Sequence, residues 1–143
     1  MLLLLLGEGV MTRHEQRYKA MTILYQIFLY DYNGIEYDVA NVIDEQMSEK
    51  SSFVVNLVNG VINNKDSIDE IANRYLENWN INRLGFTDQA IIRIGIYEIM
   101  NTDTPDITCI DEAIELSKEY SDDKVCKMIN GVLDKVYHNK EKE

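Results

Sequence analysis

The stretch VCKMINGVLDKV, Val125–Val136, decides the fold, because two strong signals in it disagree. Asn130-Gly131 is a dipeptide typical of tight hairpin turns. Around it, Val125, Met128, Ile129, Val132, Leu133 and Val136 recur at steps of 3, 1, 3, 1 and 3, the spacing of one face of a helix. A hairpin would break that phase, and the phase runs unbroken through the glycine, so the segment is predicted to be helical. The same conflict occurs at VNGVI, Val58–Ile62, where Phe53, Val54, Leu57, Val58, Val61 and Ile62 keep helical spacing through Asn59-Gly60.

Composition bounds the rest. A chain of 143 residues, 45% hydrophobic and with one proline, is long enough for a compact domain that buries roughly 68–70% of its unfolded surface. Cys109 and Cys126 have no Cys or His at metal-ligand spacing, so the sequence suggests neither a zinc site nor a disulfide framework, and reduced, cytoplasmic thiols are the default. The opening MLLLLLGEGV has five leucines. A signal-peptide core needs about 7–15 apolar residues behind a basic stretch, and a membrane span needs ~20. Residues 1–10 are therefore expected to be a misassigned start or an appended leader, disordered or irregular, with a short hydrophobic anchor as the alternative.

Helix signals fill the remainder. Ala20, Met21, Ile23, Leu24, Ile27 and Phe28 predict one long helix over Arg13–Tyr32, ended by Asn33-Gly34. Helices are predicted at about Tyr37–Met47, at Ser51–Asn63 capped by Ser51 or Ser52, and at Ser67–Trp79. A fifth begins after a Thr87 cap and is apolar on nearly every side, so other helices must surround it. Pro105 marks a break, Thr108 with Asp111 resembles a capping box opening a sixth helix through Tyr120, and Ser121-Asp122-Asp123 caps a seventh.

The two Asn-Gly pentapeptides lie 71 positions apart, from Asn59 to Asn130, and LYQI at Leu24 falls near IYEI at Ile96 with a shift of 72. This points to an internal duplication. The expected fold is all-α: about seven helices forming two similar three-helix bundles, at 11–64 and 87–138, joined by a linking helix over 66–80. Gly60 and Gly131 are expected to let neighbouring helices approach closely.

Catalytic groups do not converge in the sequence. HEQRY at His14 lacks the second histidine of a zinc-protease motif, and no phosphate loop or nucleophile elbow occurs. Binding is the stronger direction. The net charge is −11, yet MTRHEQRYKAM carries Arg13, Arg17 and Lys19 against Glu15 alone. Arg13 and Arg17 are four apart, so they share a face near a helix start, where the dipole also favours an anion such as a phosphate.

Four stretches in order, RYKAMTILYQ (Arg17–Gln26), YLENWNINRLGFTDQAIIRIGIYEI (Tyr75–Ile99), IDEAIELSKEY (Ile110–Tyr120) and KMINGVLDKV (Lys127–Val136), resemble the bacterial transcription antitermination factor NusB family. The resemblance covers essentially the whole chain after Met11. It implies a NusB-like helical domain over 11–143, no enzyme activity and no cofactor. It implies a cytoplasmic factor with no membrane association. Such a factor pairs with NusE, a basic small-subunit ribosomal protein, on boxA-type RNA of ribosomal RNA transcripts and acts on the transcription elongation complex; a homodimer is compatible with the free state. RNA contact is implied for Arg13, His14, Arg17 and Lys19 at the start of the first helix, and for Lys127 and Met128 at the start of the last. Arg83, Arg93, Glu98 and Glu112 match family positions and read as structural, since a nearly all-apolar helix must pair its few charges.

Asp31, Glu36, Asp38, Asp44, Glu45 and Glu49 gather negative charge around the second helix, suited to a basic partner. Two other readings compete. One is a helical protein-interaction adaptor without RNA binding. The other is an RNA-binding module related to that of ribosomal RNA cytosine methyltransferases, which this chain could be only as a fragment. Replacing Arg13 and Arg17 discriminates between an RNA binder and an adaptor.

Overall fold

The computed structural model describes residues 11–142. The expectation for residues 1–10 lies outside them. Among the described residues the regular structure is helical: seven α-helices and two short 3-10 turns, with no strand. The chain divides into two compact units at Val58/Asn59.

The first unit contains α1 (Arg13–Tyr32), α2 (Val39–Gln46) and the start of α3 (Ser52–Asn63). The long apolar stripe of α1 buries Ala20, Met21, Ile23, Leu24, Ile27 and Phe28, as its spacing requires. Gly34, at φ +67, turns the chain where α1 ends; a side chain there would be strained. Asp38 caps α2 by accepting from the Ala40 and Asn41 amides. Ser51, rather than Ser52, caps α3: its hydroxyl accepts from the Val54 amide at 3.2 Å. Two polar ties join α1 to α2, with Thr22 donating to Gln46 at 3.2 Å and Gln46 donating to Gln26 at 2.6 Å. After α1, Tyr37 stacks on Tyr30 at 5.8 Å and donates to Asp31 at 2.7 Å. Burial, then this hydrogen bond and the Asp31 charge, push the Tyr37 hydroxyl up to about 12.

The second unit contains the end of α3, then α4 (Lys65–Tyr75), α5 (Phe86–Asn101), α6 (Asp106–Tyr120) and α7 (Asp123–His138). The predicted central helix is α5: Gln89 through Ile96, with Glu98 and Ile99, is buried, and α4, α6 and α7 pack around it. Its one buried arginine is fully paired. Arg93 donates through Nε to Asp69 at 2.7 Å, through Nη2 to the second Asp69 oxygen at 3.0 Å and to Asn82 at 3.4 Å, and through Nη1 to Gln89 at 2.8 Å. Charge pairing is what makes a 0% exposed guanidinium tolerable.

Two of the three Asn-Gly pairs lie inside helices, Asn59-Gly60 in α3 and Asn130-Gly131 in α7, while the third, Asn33-Gly34, forms the turn after α1. The two helical glycines differ. A Cβ on Gly60 would sit 2.1 Å from Tyr97 Cζ, so this glycine does admit a neighbouring helix. Gly131 meets nothing within 4 Å, and the close approach expected there is absent because this face of α7 points to solvent. The second tight glycine is instead Gly95, whose added Cβ would lie 2.9 Å from the Leu133 methyls.

Three other expectations shift. The fifth helix starts at Phe86 with Gly85 as N-cap, because Gln89 folds back to donate to the Leu84 carbonyl at 2.8 Å; Thr87 lies inside the first turn and caps nothing. Pro105 is the N-cap of α6, its φ of −54° already suited to helix entry, so Thr108 and Asp111 form no capping box. The fourth helix ends at Tyr75 rather than Trp79. There Asn78 takes φ 64°, and Asn73 accepts from the Ile81 amide at 2.8 Å, folding the chain into the 3-10 turn Ile81–Arg83. Asp122 caps α7 as predicted, accepting from Val125 at 2.8 Å.

Candidate nucleic-acid interface

The start of α1 is fixed by a capping box. Thr12 accepts from the Glu15 amide at 3.0 Å while Glu15 accepts from the Thr12 amide at 3.0 Å. The backbone bond from Thr12, then its side-chain bond, hold the Glu15 carboxyl below its ordinary value. Glu15 therefore serves the helix start, where the dipole welcomes an anion. In the sequence it had counted only as an opposing charge.

Arg13, the first residue of α1, is exposed. It donates to Gln16 at 3.2 Å, and Gln16 in turn accepts from Ser51 beside α3 and donates to the Met11 carbonyl at 3.0 Å. The Arg13 guanidinium carbon lies 4.2 Å from the centroid of the Phe53 ring, and that of Arg17 lies 5.2 Å from it. One aromatic ring from α3 thus gathers two cations one turn apart on α1, each within cation–π range. Arg13 is both held and open to solvent, so ordering it against an anion would cost little side-chain entropy.

Arg17 departs from the expectation of a solvent-facing contact. It is 3% exposed, so its side chain packs under the helix start. There it meets the Phe53 ring, whose centroid lies 5.2 Å from its guanidinium carbon. His14 and Lys19 are half-buried on the same helix. Lys127 is exposed and Met128 half-buried on α7, in the second unit. Phe53 was missed by sequence reasoning. It sits on the apolar face of α3 and reads as core, and no local pattern reveals that residues 13 and 17 reach it.

Among the described residues no group of three or more His, Cys, Asp or Glu could hold a metal ion, and no helix is long and apolar enough to cross a membrane. Exposed arginine on an aromatic ring at a helix N-terminus suits a phosphate backbone, through charge and planar hydrogen bonding.

Comparison with known proteins bears on the family and the fold. Residues 14–138 match the NusB family model. The transcription antitermination protein NusB of Campylobacter jejuni strain RM1221 is 42% identical over 125 residues, covering 86% of this chain and 93% of that protein. That of Bacillus licheniformis is 42% identical over 129 residues, covering 88% and 96%. Among solved structures, T. maritima NusB superimposes with a TM-score of 0.79 at 28% identity, covering 92% of this chain and 96% of that one. A crystal structure of antitermination factors NusB and NusE in complex with dsRNA has a TM-score of 0.72 at 24% identity, covering 90% and 98%, a likeness of fold.

Proposed function

The chain belongs to the NusB family, and on that premise we propose that it is a transcription antitermination factor, not an enzyme, which binds boxA-type RNA together with NusE in the bacterial cytoplasm. The observation that carries the RNA half of this reading is Arg13, exposed at the start of α1 and seated 4.2 Å over Phe53. Arg13 makes the phosphate contact, flanked by His14 and Lys19, with Arg17 as a positioning residue. Lys127 and Met128 supply contacts from α7. The RNA in a related fold's complex with NusE and dsRNA supports the same partners.

Acidic side chains around α2 support a basic protein partner. Asp31, Asp38 and Asp44 are engaged within the chain, with Tyr37, the α2 cap and Lys50 respectively. Glu36, Glu45 and Glu49 are exposed and remain for steering NusE. The complex then acts on the elongating polymerase. Binding of boxA RNA is measured across a salt series, with and without NusE. Wild type is expected to bind better with NusE, and Arg13→Ala to weaken binding and reduce the salt slope by about 0.7, the value for one phosphate on a single strand. An unchanged affinity and slope in Arg13→Ala would leave the adaptor reading.

A further inference from the structure

The segment between α4 and α5 is a loop only in the sense that it is not α-helical. Leu76, Ile81 and Leu84 are buried and anchor it to the second unit. Asn73 accepts from the Ile81 amide at 2.8 Å, Asn80 accepts from the Asn82 amide at 2.9 Å, and the buried Arg93 donates to the Asn82 side-chain oxygen at 3.4 Å. The backbone is therefore held from below at several points. Its outer face forms an open concavity of about 600 Å³ lined by Asn78, Trp79, Asn80, Asn82 and Arg83. That size lies within the roughly 300–1,000 Å³ of small-ligand sites.

The lining has a definite chemistry. Trp79 is 45% exposed and offers a large π surface. Asn80 and Asn82 use their side-chain oxygens within the chain, accepting from the Asn82 amide and from Arg93, so each keeps an NH2 donor, and the exposed Arg83 adds a guanidinium to the lining. In a chain of net charge −11, no carboxylate lines it. A flat ring face beside donors and one cation fits a planar, acceptor-rich, anionic ligand. An acidic peptide would satisfy Arg83 but leave the indole face unused; a nucleotide satisfies both.

We propose that this concavity is a nucleobase site: one unstacked base of single-stranded RNA lies on Trp79, and Arg83 meets an adjoining phosphate. The proposal rests on the reading of the chain as an RNA binder, but on residues of the second unit that α1 does not supply.

Trp79 is the one tryptophan of the chain, so its fluorescence reports this site alone. The full chain is titrated with a single-stranded oligoribonucleotide, with an oligomer of the same length lacking all bases, and with an acidic peptide, while filter binding is run on the same samples. The expected result is saturable quenching by the RNA only. Trp79→Ala is expected to weaken RNA binding roughly 5- to 150-fold, with Trp79→Phe recovering most of the loss because stacking is retained. Arg83→Ala should shift the quenching midpoint to higher RNA concentration. Absent quenching, quenching by the base-free oligomer, or quenching by the peptide alone overturns the site. RNA retained on filters without quenching would sink the base site while leaving the α1 interface standing; loss of both signals would remove the RNA reading as well.

Discussion

Two alanines placed in the same pentapeptide context are expected to differ in effect. Gly60→Ala and Gly131→Ala each replace a helix-interior glycine, and each gains about 1 kcal/mol from helix propensity and the restricted unfolded chain. At Gly131 nothing lies within 4 Å of the new methyl, so the gain stands alone. At Gly60 the methyl would meet Tyr97 Cζ, Oη and Cε1 at 2.1, 2.3 and 2.5 Å, and the ring must swing away from α3. Overpacking of this kind costs about 1–3 kcal/mol. Because the propensity gain is common to both, the difference between the variants isolates the steric term. Urea unfolding measures it: with a slope of about 2 kcal/mol per molar, the two midpoints should differ by roughly 0.5–1.5 M, Gly131→Ala above wild type and Gly60→Ala below Gly131→Ala. In a Tyr97→Ala background Gly60→Ala should become stabilising. If both alanines raise the midpoint equally in the presence of Tyr97, the packing argument is wrong.

Arg93→Ala should cost about 3–5 kcal/mol by urea unfolding, since it strands Asp69 and the Gln89 and Asn82 oxygens; the ion pair of Lys65 with Asp69 at 3.3 Å favours the lower end. A loss below about 1 kcal/mol would mean water replaces the guanidinium at little cost. Glu15 has a depressed carboxyl, so its contribution is present above its ordinary value of 4.5 and is lost as pH falls through the folded value. Protection of the Thr12 and Glu15 amides relative to their intrinsic exchange rates should fall in acid ahead of the rest of α1, and the fall should vanish in Glu15→Gln, which keeps a capping side chain without the charge. Tyr37 has the opposite sign: its hydroxyl is raised from 10.0 to about 12, so the stability tied to its neutral form is complete below pH 10 and declines toward 12. Absorbance titration should show a late component that is missing in Tyr37→Phe.

Local pattern carried much of the fold. The period of apolar residues set α1 at Arg13–Tyr32, the bounds observed, and overruled the turn chemistry of Asn59-Gly60 and Asn130-Gly131. The rule that buried charges pair anticipated the surroundings of Arg93. What was hidden depends on contacts distant in sequence. Gly60 and Gly131 share a pentapeptide context, and only the neighbour across the interface, Tyr97 in one case and solvent in the other, tells them apart. Phe53 lies far along the chain from Arg13 and Arg17, so its role as their seat had no local signal. The Thr12–Glu15 box, by contrast, is legible as a Thr-x-x-Glu pattern at the start of α1, where Glu15 is a cap before it is an opposing charge.

Housing two of its three Asn-Gly pairs within helices also bears on how the molecule ages. Spontaneous deamidation at this dipeptide begins when the glycine nitrogen attacks the asparagine side-chain carbonyl to close a succinimide ring. Helical backbone angles keep that nitrogen turned away and engaged with the preceding turn. The native chain is thus its own preservative at Asn59 and Asn130, and chemical wear at either position would be a record of time spent unfolded.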